Sequence, residues 1–187
     1  MNNATGYIAY QLKGLMADRA IASLFTDPNN PDDFIAGFVQ AVNNRTTLVN
    51  AITPYGMMDG YFAIRLGAIL EVQYDSIYAQ RLALLMRMGN QGPQPLPIRE
   101  EEDALAFLLG ISQRRGVAVT LWTASESYAG FVTQANDLFL GMEPVDFMGN
   151  RCAEMTFRLT DIEMVSLGSE EERMYERLDK HHQERGE

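Results

Sequence analysis

Apolar side chains recur along this chain with two periods, and the switching between them outlines the elements. Ile8, Leu12, Leu15 and Met16 are spaced for one face of a helix. Residues 20–25 read as a strand, and the turn formers Thr26-Asp27-Pro28-Asn29-Asn30-Pro31-Asp32 as a hairpin loop. Residues 34–43 and 46–53 continue as strands until Pro54-Tyr55-Gly56 breaks the pattern. Residues 61–66 and 68–74 predict two short strands about a tight turn. Asp75 or Ser76 then caps a closing helix with Tyr78, Leu82 and Leu85 on one side.

The order repeats after a break. Gly89-Asn90-Gln91-Gly92-Pro93-Gln94-Pro95-Leu96-Pro97 is too rich in proline for a helix and predicts an extended spacer. Glu100-Glu101-Glu102-Asp103 puts negative charge at a helix N-terminus and Arg114-Arg115 positive charge at its end, as the helix dipole favours. Gly116 stops that helix. Residues 117–122, 128–136, 139–145, 153–159 and 161–167 supply strands. Ser169-Glu170-Glu171-Glu172 has the form of a capping box before a last helix, and the polar tail from Lys180, with His181-His182, is expected to fray.

The two halves also match residue for residue. Ala36-Gly37-Phe38-Val39 recurs 93 positions on as Ala129-Gly130-Phe131-Val132, and 11 of the 41 positions from Ala36 to Ser76 are identical at that offset. This predicts a duplicated domain: 1–91, a linker 92–98, and 99–187. Aligning Arg115 with Arg19 makes the first loop of the second half shorter by three residues. Short strands behind a leading helix predict an α+β, mainly β architecture of two small five-stranded barrels of bent sheet, each with an N-terminal and a C-terminal helix. Gly37 and Gly130 fall in mid-strand, where glycine marks a bend, a bulge or close packing.

Charge narrows the partners. The net charge is −10, and residues 96–187 hold 9 Lys+Arg against 18 Asp+Glu, whereas residues 1–95 hold 6 against 7. An acidic second half disfavours nucleic acid: no DNA is expected, and RNA only through a local basic ring in the first half. No apolar run approaches the length of a membrane span, and Met1-Asn2-Asn3-Ala4-Thr5 lacks a basic leader, so a cytoplasmic protein without membrane contact is expected.

At this level the chain resembles the Sm-like (LSm-type) family. That family pairs a leading helix with five bent strands. Its first motif has a mid-strand glycine, then an aspartate, then an asparagine; its second is Ile-Arg-Gly followed by an apolar residue. Here Gly37 is followed by Asn43 and Thr47, and Gly130 by Asn136 and Leu140. Ile64-Arg65-Leu66 with Ile69, and Phe157-Arg158-Leu159 with Ile162, occupy the second motif without its glycine. The run Pro54-Tyr55-Gly56, Asp59-Gly60-Tyr61, Tyr74-Asp75-Ser76 also resembles uncharacterised two-domain proteins of Gram-positive bacteria that carry tandem Sm-like domains. The resemblance implies an RNA pocket built from Asn43, Thr47, Arg65, Asn136 and Arg158. Against it, Thr47 and Leu140 cannot make the bidentate amide contact of the family's loop asparagine, and the arginines have a plainer role holding their turns. The resemblance further implies association through the edges of the last two strands of each barrel.

Other chemistry is weakly marked. Asp27, Asn29, Asp32 and Asp33 lack the spacing of a calcium loop, and adjacent His181 and His182 point apart on a helix, so no metal is expected. Cys152 has no histidine near it in sequence and reads as a buried thiol. No catalytic residue and no cofactor are nominated. Tyr55, Met57, Met58, Tyr61 and Trp122 form the candidate contact surface, since Met and aromatic side chains suit an adaptable interface; a loop folded over the barrel mouth is the alternative. Three functions are therefore in play: a non-enzymatic interaction or scaffold protein with protein partners or self-association, an RNA-binding module, and a small-molecule sensor.

Overall fold

The computed structural model describes residues 3–30 and 32–185. Met1 and Asn2 of the expected start, Pro31 of the expected hairpin loop, and Gly186 and Glu187 lie outside them. The chain divides into two compact units, Met1–Ala104 and Leu105–Glu187. Both are α+β and mainly β, and among the described residues no helix is long and apolar enough to cross a membrane.

In the first unit helix α1 (Asn3–Asp18) buries Leu12 and Leu15. It ends where Arg19 turns to φ 51° and Ala20 N donates to Leu15 O. Strands β1 (Ile21–Phe25), β2 (Phe34–Val42), β3 (Thr46–Ile52), β4 (Met58–Arg65) and β5 (Glu71–Tyr74) follow, with a 3-10 turn (Leu66–Ala68) between the last two. Their lateral order is β5-β1-β2-β3-β4, each antiparallel to its neighbours. Helix α2 (Ile77–Met88) starts at Ser76, whose Oγ accepts Ala79 N. α2 contributes Ala79, Leu82 and Met86 to a cluster with Ile21, Ala36 and Ile52.

The second unit has helix α3 (Ala104–Arg115), strands β6 (Ala118–Thr123), β7 (Ser127–Ala135), β8 (Phe139–Pro144) and β9 (Met155–Arg158), a 3-10 turn (Leu159–Asp161), β10 (Ile162–Leu167) and helix α4 (Glu170–Arg185). The order is β10-β6-β7-β8-β9, the first unit's order with each strand replaced by its counterpart. The registers correspond too. Gly37 opposes Ala51 and Gly130 opposes Pro144, and the pairing slips between Val39 and Ala41 and between Val132 and Gln134. A Cβ on Gly37 would lie less than 3 Å from the Asn50 carbonyl, and one on Gly130 equally close to that of Glu143. The glycines therefore serve close approach of two strands, and the bulge is a separate feature just beyond them.

Four expectations need correction. Ile21 pairs with Phe38, 17 positions on, and Ala118 with Phe131, 13 positions on, so the loop differs by four residues rather than three. The counterpart of Arg19 is Gly116 (φ 63°), because both occupy the left-handed position that ends the leading helix. β9 is shorter than 153–159, and Cys152, in the stretch before it, is exposed rather than buried. The tail from Lys180 does not fray within the described residues: α4 continues to Arg185, with Gln183 Nε2 donating to Asp179 and His182 Nε2 to Met148 O.

Residues 92–98 run along the first unit. Gln94 N donates to Asn50 Oδ1 (2.7 Å) and Leu96 N to Gln40 Oε1 (3.1 Å), while Gln94 O accepts from Gln40 Nε2 (3.0 Å) and Tyr61 Oη (2.8 Å). A segment that cannot form a helix can present its backbone to side chains of a sheet, and here three strands supply them.

Candidate functional site

Each unit gathers the asparagine and the arginine singled out in its sequence at one end of its sheet. Asn43 closes the β2–β3 turn: its Oδ1 accepts Arg45 N and Thr46 N, both at 2.8 Å, and its Nδ2 donates to Glu102 O at 2.7 Å. Asn136 does the same work for β7–β8, accepting Leu138 N and Phe139 N at 2.9 Å. The arginine turns dock alongside, through Leu66 N to Arg45 O and Leu159 N to Leu138 O, both 2.8 Å. Thus Asn43 and Arg65 are neighbours in the first unit, as are Asn136 and Arg158 in the second.

Their side chains are largely occupied. Arg158 Nε and Nη2 both reach Asp161 Oδ2 at 2.8 Å, closing the 3-10 turn from three residues away. Arg65 is half-buried at the end of β4, opposite Thr46. Thr47 is buried and donates its hydroxyl to Ala41 O (3.0 Å). Leu140 is buried as well. An asparagine whose carbonyl oxygen already accepts two backbone amides has little left for a base edge.

The opposite end of the sheet presents apolar side chains instead. After β3, Thr53 Oγ1 accepts Tyr55 N (3.3 Å) and Met57 N (3.2 Å). After β8, Asp146 Oδ1 accepts Met148 N (2.8 Å) and Asn150 N (2.9 Å), and its Oδ2 accepts Asn150 Nδ2 (3.0 Å). These hydrogen bonds, from the Asn150 side chain first, then from its backbone amide and that of Met148, together with the nearby His182, hold the Asp146 carboxyl below its ordinary pKa against an opposing cost of desolvation. Both loops then turn through a left-handed glycine, Gly56 (φ 81°) and Gly149 (φ 82°), pressed onto Leu85 of α2 and Leu178 of α4. Tyr55 is left 79% exposed and Phe147 82% exposed, with Met57 and Met148 beside them.

Of the remaining contact candidates, Met58 opens β4 and packs on the Ile21–Leu82 cluster. Tyr61 is half-buried, its phenol pushed up in pKa by burial, and it holds Gln94 O. Trp122 is half-buried on β6, opposite Ser127 and Met164. Two apolar groups escaped the sequence reading. Ile77 (86% exposed), Leu84 and Met88 (76% exposed) form a stripe along the outer face of α2. Phe147 and Met148 are exposed in the second unit. The 93-residue offset would have found the second pair, since they stand where Pro54 and Tyr55 stand.

Behind its loop the second unit carries a charge cluster. Arg151 Nε and Nη2 reach Asp179 Oδ1 (2.7 Å) and Oδ2 (3.0 Å), Nη1 reaches Glu143 Oε2 (2.8 Å), and the guanidinium lies 4.2 Å from the centroid of the Phe131 ring. The hydrogen bonds to Asp179, foremost, raise the arginine's already high pKa, so it is always charged. Nearby, Glu172 is buried, accepting Ser169 N (2.7 Å) and the Ser166 hydroxyl, and Glu176 Oε1 accepts Ala118 N (3.0 Å).

No family model matches this chain, and neither a curated protein nor a solved structure matches it.

Proposed function

We propose that the chain is a tandem Sm-like protein of the cytoplasm, two small five-stranded barrels that act without catalysis as a protein-interaction or scaffold module. The barrel reading is supported by the leading helix, the five antiparallel strands in each unit, and the glycine-plus-bulge bend of the second strand. The interaction reading rests on one observation above all. Both units fix a loop by the same hydrogen-bonded turn and the same helix-packed glycine, and each exposes a large apolar side chain at its tip. Hydrogen-bonded turns limit the ordering entropy that an anchor side chain would otherwise lose on binding, and aromatic anchors dominate interface energetics.

RNA recognition is the competing reading, and the pairing of Arg158 with Asp161 and the net charge of −10 weigh against it. A pull-down with the full chain separates the two. Wild type should recover defined protein partners and little RNA, and the double variant Tyr55→Ser, Phe147→Ser should lose those partners while keeping its circular dichroism. Saturable binding of short U-rich or A-rich oligomers at low salt, weakened by Arg65→Ala, would instead establish the RNA reading.

A further inference from the structure

We infer that the first unit holds a binding site for a small amphipathic anion, a medium-chain carboxylate in type, in the cleft between α2 and the β1–β2 pair. The cleft encloses about 360 Å3, within the range of small-molecule sites. Its floor is apolar: Ile21 and Phe38 from the strands, Ala79, Ala83 and Met86 from the helix. At its rim stand Arg19 and Arg87, both exposed, with Asp75 as the one carboxylate of the lining. Neither guanidinium makes a hydrogen bond or ion pair among the described residues.

The second unit fills the corresponding face of its helix with carboxylates of its own. At the offset of 93, Glu172, Glu176 and Asp179 stand on α4 where Ala79, Ala83 and Met86 stand on α2, and Arg151 stands where Met58 does. There the helix brings the carboxylates, and Arg151 lies over Phe131, the counterpart of Phe38. In the first unit the helix brings none, the floor is left apolar, and cations wait at the rim. A carboxylate from outside, with an aliphatic chain to cover the floor, completes the set.

Calorimetric titration of the full-length protein with decanoate tests this, with amide shifts read by NMR. Saturable one-site binding is expected, with shifts confined to the cleft residues. Decyltrimethylammonium, of equal chain length and opposite charge, should bind about tenfold more weakly. The double variant Arg19→Gln, Arg87→Gln should weaken decanoate by about two- to fivefold per charge removed. Ala83→Glu should abolish binding by filling the floor as the second unit does; if it fails to fold, Gln80→Glu at the rim must weaken binding instead. Absent or non-saturable decanoate binding, indifference to the head group, or shifts elsewhere would overturn the inference. So would arginine-dependent flotation with phosphatidylglycerol vesicles, which would assign the cleft to a membrane lipid. An arginine-dependent dimer in sedimentation would assign it to an acidic surface of a second copy, with the same consequence.

Discussion

Gly56 and Gly149 each combine two demands that no other residue meets. Their φ values, 81° and 82°, lie in the left-handed region, and a Cβ would press into Leu85 or Leu178. Alanine at either position should cost about 1–3 kcal/mol in urea denaturation, with Gly67→Ala, which meets nothing within 4 Å, near neutral. A loss below about 0.5 kcal/mol at Gly56 would show that the loop does not depend on its seat against α2. Asp146 offers a second test. Its folded pKa is depressed, so its contribution is complete above the ordinary carboxylate range and disappears as pH falls through the depressed value. Carboxyl NMR should place its midpoint below that of an ordinary aspartate, and exchange of the Met148 and Asn150 amides should accelerate as it protonates. A midpoint at or above the ordinary value would remove the turn from the account.

Elements repeat more faithfully than their linings. Ser76 and Ser169 precede α2 and α4, and the second completes the expected capping box through Glu172. Yet the buried side of α2 is apolar, and that of α4 carries carboxylates that fold back on their own unit. Packing can satisfy either solution, provided each buried charge has its partner. Arg151→Met should therefore destabilise by about 1–2 kcal/mol, the low end for a broken buried pair because the side chain is 38% exposed. Adding Asp179→Met, which recreates the Met58 and Met86 pairing of the first unit, should restore most of that loss. If the double variant is as unstable as the sum of the singles, the two residues do not act as a pair.

For the molecule as a whole, the two units carry the same frame with different surfaces, and the negative charge sits mainly in the second. That asymmetry explains why the frame alone says little about a partner. An arginine precedes the 3-10 turn in both units; in the second it pairs with Asp161, and Ala68 stands at the matching position of the first. Selective RNA binding would have to overcome both the local pairing and the long-range repulsion, and both weaken it most at the low salt where simple phosphate contacts are strongest.

Helices and strands were legible in the chain because their signals are local: periodic apolar positions, serine caps, glycine stops. The internal repeat was legible because identities survive at positions such as Gly37, Gly56 and Ser76, where backbone geometry admits few residues. Exposure was not. Cys152 was expected to be buried and is open to solvent, and Met58 was expected in a contact loop and packs inward, because burial depends on which distant strand or helix arrives above a residue. The cleft of the first unit and the charge cluster of the second were likewise invisible, since Arg19, Phe38 and Arg87, or Arg151, Phe131 and Asp179, are joined only by folding. Local propensities act between near neighbours along the chain; a site is a meeting of remote ones, and its chemistry exists only once the packing has brought them within a few ångströms.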